Sequence, residues 1–326
     1  MDKVSVLVAA YNAARTIGKC VDSLLAQTHR EIEAVCIDDC STDGTLAILQ
    51  DYAAKDSRVR VLHLDTNQGQ ARARNAGLQT ATGSLICMLD ADDWLAPDAI
   101  EQAVAVLSAN PQTDTVLFDV VMEYADRSER YEMPPFDALT GREAFRLSLS
   151  WRIHGVYMTR AGIHKRIPYD TTCRAYSDDN TTRLHYLASR EVRRCAGRYH
   201  YLQHPDSVTH AVSVRRFDHL RANESMRDAL TSTVGDQKLI AEYENQRWLN
   251  VVDAYMFYHC HGRQLTESER EYGIKEIERV WRTIDRKALD RRLAAKFGYR
   301  PMPSWRLFRL QEWAYFTLRG LLGKNK

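Results

Sequence analysis

Apolar runs that each give way to a helical pattern recur through the first third of this chain, and they leave few folds open. Val4 to Ala10 is nearly continuous apolar sequence, as in a strand covered on both faces. Tyr11-Asn12 then opens a helical pattern in which Ile17, Val21 and Leu24 recur, with Asn12 as a suitable N-cap. The pattern repeats: Ile32 to Ile37 is a strand closed by Asp38-Asp39, and Ser41-Thr42-Asp43-Gly44-Thr45 starts a helix carrying Leu46, Leu49 and Tyr52. Val59 to Leu64 is a third strand, Asn67-Gln68-Gly69 a turn, and Ala71 to Leu78 a third helix. A fourth apolar run, Leu85 to Leu89, ends in Asp90-Ala91-Asp92-Asp93, and Pro97 suits the first turn of the helix that follows. Strand and helix in alternation predict an α/β fold with a mostly parallel sheet flanked by helices.

In such a sheet, ligands bind beyond the carboxyl ends of the strands. Tyr11, Asp38, Asp39 and the Asp90 to Asp93 turn all fall there, so they converge on one edge. Burying three unpaired carboxylates is costly, so the last turn must face water, a cation, or both. A sparse pair of carboxylates suits Mg2+, which completes its shell with phosphate oxygens and water. Taken singly, Asp39 reads equally well as a turn or capping residue, and Arg74 as part of a solvated helix face.

Composition narrows the class. At 326 residues, 44% hydrophobic and 27% charged, the sequence is that of an ordinary globular protein, and a net charge of +2 gives no bulk argument for nucleic acid. Seven cysteines stand singly without a CxxC pair, as expected of buried thiols in a reducing compartment. No apolar run approaches the length of a membrane span, so the expected localisation is cytoplasmic.

Four motifs in order carry a resemblance: Val4 to Asn12, then Ile37-Asp38-Asp39 with Ser41 to Thr45, then Asn67-Gln68-Gly69 with Ala73-Arg74-Asn75-Ala76-Gly77, then Leu89 to Asp93. Together they resemble a family-2 glycosyltransferase of GT-A fold, over residues 3 to about 210. The resemblance implies that Ala10, Tyr11, Asn12, Asp39, Arg74, Asp90 and Ala91 line the nucleotide site. It also implies that Asp92 and Asp90 bind Mn2+ or Mg2+ across a diphosphate. Ala10 stands where the family usually has Pro nearby.

Further along, Thr115 to Tyr124 reads as a strand, Glu129 to Pro135 as an extended edge piece, and Thr140-Gly141-Arg142-Glu143 as a capping box. Trp151 to Met158 reads as extended, with Trp151 and Tyr157 as core residues. Asp178 and Asp179 precede Leu184 and Leu187 at helical spacing, which places both acids in a first turn where the helix dipole favours them. The resemblance implies more: Asp179 matches the general base, and Asp178 stands where the family has Glu. Three histidines at 200, 204 and 210 match no zinc-site spacing. The resemblance instead implies a loop closing over the diphosphate, with His204 and Ser207 in contact and His204 a further metal ligand. Gln203 replaces an Arg often seen before that His, leaving Arg198 or Arg215 to supply charge.

The expected organisation is a catalytic domain over 1–213 and a helical accessory region over 214–326. From Arg286 onward eleven basic residues face two acids, Asp290 and Glu312, an excess of nine, interleaved with Trp305, Phe308, Trp313 and Phe316. Such a tail suits the inner face of a membrane; a docked partner or a second copy of the chain is the alternative, and nucleic acid comes third because no recognised binding motif accompanies the charge. The apolar residues in it form no clean single stripe. The resulting expectation is an inverting, metal-dependent transferase. It moves a hexosyl or N-acetylhexosaminyl group from a UDP-linked donor to a hydroxyl of a glycan or lipid-linked acceptor in cell-surface polysaccharide biosynthesis. A nucleotidyltransferase and a non-catalytic membrane-associated binding module are the rival readings.

Overall fold

A computed structural model of the chain describes residues 2–173, 176, 178–203 and 212–324. It divides into two compact units, Met1–Thr171 with Thr181–Ser207, and Thr172–Asn180 with Val208–Lys326.

The first unit opens as the repeat predicts. Strand β1 (Val4–Ala10) leads to α1 (Ile17–Leu25), β2 (Ile32–Asp38) to α2 (Thr45–Lys55), β3 (Val59–His63) to α3 (Gln70–Thr80), and β4 (Leu85–Met88) runs into the acidic turn. A two-residue strand β5 (Trp94–Leu95) precedes α4 (Ala99–Ala109). Then come β6 (Thr113–Glu123), β7 (Ser128–Arg130), β8 (Ala138–Thr140), α5 (Gly141–Leu149), β9 (Tyr157–Arg160), α6 (Ala161–Arg166), α7 (Asp178–Ala188), whose first three residues are assigned to the second unit, and β10 (Glu191–Leu202). The ten strands form one α/β sheet in the order β3-β2-β1-β4-β9-β6-β10-β5, with β7 on β6 and β8 on β10.

The sheet is mixed. Its leading half, β3-β2-β1-β4, is wholly parallel, and β6 with β10 is a second parallel pair. Antiparallel neighbours enter where β9 is inserted between β4 and β6, and at β5, β7 and β8. No helix separates β6 from β7, so a four-residue turn suffices for an antiparallel neighbour, whereas each parallel pair needs a crossover.

Both faces of β1 are covered, which explains its unbroken apolar run. Val4, Val6 and Val8 pack with Ile17, Val21, Leu24 and Ile100, while Leu7 packs with Val35, Ile37, Ala73 and Leu78. Gly77 lets α3 lie directly on β2, because a Cβ there would stand 2.5 Å from Ile37 Cδ1.

Local expectations fare unevenly. The capping box holds, with Thr140 and Glu143 bonding reciprocally at the start of α5. Asn12 does not cap α1, which begins five residues later at Ile17 after Thr16; Asn12 instead sits at φ 50° in the turn leaving β1. Pro97 lies just before α4, whose N-cap is Asp98. Tyr157 is core at 5% exposure, but Trp151 is 41% exposed at φ 54° and forms no strand, because the chain turns there after α5.

The second unit is helical: α8 (Asp218–Ala229), α9 (Gln237–His261), α10 (Glu267–Thr283), α11 (Arg291–Ala295) and α12 (Trp305–Leu321). Trp248, Tyr255, Ile277, Trp281 and Phe308 form its core, so the aromatics of the α9 pattern are packing residues. Gly262 ends α9, as its position in the sequence suggests. Among the described residues no helix is long and apolar enough to cross a membrane.

Candidate active site

The carboxyl edge of the parallel strands carries a continuous polar rim, and short-range chemistry in the sequence builds most of it. Where β1 ends, Tyr11 is 52% exposed and Ala10 is buried in register with Asp38. Asn12 turns its Oδ1 to the Thr42 amide at 2.8 Å, and its own amide donates to Ser41 Oγ at 3.0 Å. The amides of Ala13 and Ala14 donate to Thr45 Oγ1 and Asp43 Oδ2. Asn12 therefore ties the β1 and β2 loops together instead of capping a helix.

Asp38 and Asp39 divide the labour at the end of β2. Asp38 is fully buried; its Oδ2 accepts from the Ser41 amide at 3.2 Å and meets His63 Nδ1 at 2.8 Å. Asp39, 3% exposed, accepts the Gln68 amide on Oδ1 and the Gly69 amide on Oδ2, both at 2.8 Å. Its carboxylate thus fixes the turn that starts α3, where Gly69 takes φ 88°, a value that favours glycine.

Helix α3 then delivers two side chains, one turn apart, to a single carboxylate. Arg74 Nη2 meets Asp90 Oδ1 at 2.5 Å and Gln70 Nε2 donates to the same oxygen at 3.1 Å. Arg74 is 1% exposed, so it is no solvated helix residue, and its guanidinium lies 5.3 Å from the Tyr169 ring. Asn75 holds the backbone of Tyr169. Its Nδ2 donates to the Tyr169 carbonyl at 2.9 Å and its Oδ1 accepts the Tyr169 amide at 2.8 Å.

The acidic turn is braced from its other side by β10. Tyr199 donates from its hydroxyl to Asp93 Oδ2 at 2.6 Å and accepts the Asp90 amide at 3.2 Å; the Leu202 amide donates to Asp93 Oδ1 at 2.8 Å. Asp93 is 1% exposed. Burial first, then the charge of Asp90, pushes its carboxyl well above the ordinary carboxylate range. Asp93 is therefore a structural brace, and the outward members of the motif are Asp90, with 30% of its side chain exposed, and half-buried Asp92. Tyr199→Phe is expected to lower stability by about 1–3 kcal/mol in urea denaturation, because a buried Asp93 oxygen loses its donor.

Asp90 and Asp92 offer only hard oxygen atoms, with no imidazole or thiolate in the turn. That set fits Mg2+ or Mn2+ and not a softer ion. Among the described residues no group of three or more His, Cys, Asp or Glu side chains could hold a metal by itself. The expected contacts of His204 and Ser207 lie outside the described residues. The expectation of buried thiols holds for four of the seven cysteines, where burial pushes Cys36, Cys87 and Cys195 up to about 12 and Cys20 well up too, while Cys40, Cys173 and Cys260 are half-buried.

Asp178 and Asp179 sit in the first turn of α7, both half-buried, and belong to the second unit, where the next residue Asn180 donates to the Ala222 carbonyl at 2.7 Å. Tyr11, Asn12, Asp39, Arg74, Asp90, Ala91 and Asp92 belong to the first. The sequence reading missed Gln70, Asn75, Tyr169 and Tyr199. A signal for Tyr199 existed, since Arg194 and Arg198 alternate with Cys195, Gly197 and Tyr199, and the structure buries the second set and exposes the first.

The Glycosyl transferase family 2 model matches residues 5–170, a stretch that runs from β1 past the Tyr169 that lies on Arg74. The chain belongs to that family. Among similar sequences, the succinoglycan biosynthesis protein ExoO of Rhizobium meliloti is 45% identical over 101 residues, 31% of this chain and 28% of ExoO. The uncharacterized glycosyltransferase EpsJ of Bacillus subtilis is 32% identical over 222 residues, 63% of this chain and 62% of EpsJ. The chain thus spans less than two thirds of the length of these curated relatives. In three dimensions it is similar to S. aureus TarS 1-349 in complex with UDP-GlcNAc, with TM-score 0.76 and 19% identity over 99% of this chain and 92% of that one. It also resembles the Pyrobaculum calidifontis mannosyltransferase PcManGT in complex with GDP-Man and Mn2+, with TM-score 0.53 and 18% identity over 99% of this chain and 88% of that one. At those identities the likeness is one of fold, and the fold is GT-A with a helical C-terminal region.

Proposed function

We propose that this chain is an inverting glycosyltransferase that uses a nucleotide diphosphate sugar, of UDP type, and a hydroxyl acceptor on a glycan or a lipid-linked saccharide. The observation that carries the reading is the Arg74–Asp90 pair at the strand edge. A buried cation neutralises one carboxylate of the motif and leaves its neighbour Asp92 beside it, which suits a site for a metal-bound diphosphate. Family membership supports transfer over nucleotidyl chemistry, and ExoO, named for succinoglycan biosynthesis, supports a role in surface polysaccharide assembly. TarS with UDP-GlcNAc supports a uridine donor carrying an N-acetylhexosamine, while PcManGT with GDP-Man keeps guanosine donors within the test.

In this reading the acceptor oxygen forms a bond to the anomeric carbon as the bond from that carbon to the diphosphate oxygen breaks. The leaving nucleoside diphosphate keeps the electron pair. Asp179 takes the acceptor proton, with Asp178 beside it in the same helical turn. Attack from the face opposite the leaving group inverts the anomeric centre. Asp92 and Asp90, with His204, would hold a divalent cation, which would supply positive charge beside the diphosphate. Tyr11, Asp39 and Arg74 border the nucleoside, and the proposed catalytic domain ends near residue 213.

The test is a donor screen: the full chain incubated with UDP-, GDP- and dTDP-sugars plus Mn2+, with nucleoside diphosphate release as the readout. Release from one uridine donor, raised by a glycan acceptor, is expected. Release from none, or only from guanosine donors, contradicts the uridine assignment.

A further inference from the structure

Helix α12 has two apolar faces, which is why its sequence shows no single stripe. One is buried: Phe308, Glu312 and Phe316, four residues apart, are each at most 2% exposed. The other row, Leu307, Leu310, Ala314, Leu318 and Leu321, recurs at three- and four-residue steps, and at about 100° per residue it lies on nearly the opposite side of the helix. Its leucines are 42%, 61%, 54% and 80% exposed, and Trp313 on its border is 56% exposed. An apolar row this long left in water on a folded helix marks a contact surface.

Charge says what the surface meets. Arg306 and Arg309 are exposed along the same border as Trp313, and Lys296 and Arg300 are exposed just upstream. The acids that would offset them are spent elsewhere. The Asp290 carboxylate accepts the amides of Arg292 and Leu293 at the start of α11. Glu312 lies on the buried face, where burial pushes its carboxyl up to about 8 while a hydrogen bond from Gln311 pulls the other way. The exposed charges that α12 itself carries along this border are thus of one sign, and Glu278 of α10, which lines the same cleft as Arg306, is paired with Arg282. A two-fold contact with a second copy would set that basic flank against itself, whereas an anionic lipid surface accepts both the leucine row and the arginines.

We propose that the exposed face of α12, centred on Leu310 and bordered by Arg306, Arg309 and Trp313, seats the protein on an anionic membrane surface. The leucines enter the interfacial region, Trp313 lies at headgroup depth, and the two arginines pair with lipid phosphates. This binding stands apart from the donor assignment and needs no turnover.

The experiment is sedimentation of the full chain with vesicles of phosphatidylcholine alone or mixed with phosphatidylglycerol. Binding to the anionic vesicles only is expected, weakening as salt is raised. A double variant, Leu310→Glu with Leu321→Glu, and an Arg306→Ser, Arg309→Ser pair should each weaken it by more than about tenfold. All these positions are exposed, and circular dichroism checks that each variant keeps its helices. Light-scattering mass, read in parallel, should stay that of one chain for wild type and variants. Wild type that ignores anionic vesicles overturns the proposal, and so does binding that survives both variants. A dimer that dissociates in Leu310→Glu, Leu321→Glu without any vesicle binding assigns the face to a second copy instead.

Discussion

Asp179→Asn is expected to lower sugar transfer by about 10^2- to 10^4-fold while nucleotide binding persists, since an amide keeps the size of the carboxylate and cannot accept the acceptor proton. The helix supplies a rival explanation for the same residue. Asp178 and Asp179 both stand in the first turn of α7, where a carboxylate stabilises the exposed amides whatever the chemistry. The two accounts separate by readout. If the dipole is the whole reason, Asp179→Asn costs at most about 1 kcal/mol in denaturation and leaves turnover intact. If Asp179 is the base, turnover collapses with little change in stability, and Asp178→Asn has the smaller effect on rate. Retained turnover in Asp179→Asn removes the residue from the mechanism and revives the reading of a binding module that keeps the fold.

Asp90→Ala is expected to destabilise the first unit by about 1–3 kcal/mol in urea denaturation, because it removes a carboxylate that lies 2.5 Å from the buried guanidinium of Arg74. Arg74 is 1% exposed and meets Asp90 at 2.5 Å, and water reaches it poorly. Asp92→Ala leaves that pair in place. The two variants should therefore differ: both lose metal-dependent nucleotide binding, and Asp90→Ala unfolds at lower urea than Asp92→Ala. Equal stability loss in the two would show that the Arg74–Asp90 pair contributes no more than Asp92 does. Loss of stability with nucleotide binding retained would confine Asp90 to a structural role.

The strand edge was legible because its residues follow the strands directly. Val4 to Ala10, Asp38-Asp39 and Asp90 to Asp93 are local patterns, and periodicity alone put them on one side of a sheet. What links them is not local. Tyr199 reaches Asp93 across 106 residues and Asn75 reaches Tyr169 across 94, and no spacing rule announces either contact. Arg74 shows the limit most clearly: its helical position is visible in sequence, but burial against Tyr169 and Asp90 is decided by segments far away. Asn12 is the opposite case, a good helix cap by residue type that the β2 loop claims through Thr42. In α12 a second, solvent-facing leucine row hid the stripe that packs on the core.

The central claim is a nucleotide diphosphate site organised by the acidic turn. Calorimetric titration of UDP into the full chain, with and without Mn2+, and into Asp92→Ala, tests it most directly. The account predicts UDP binding that needs Mn2+ and is lost in Asp92→Ala. Binding that is indifferent to the metal and to Asp92, or no binding of UDP, GDP, CDP or dTDP under any condition, contradicts it.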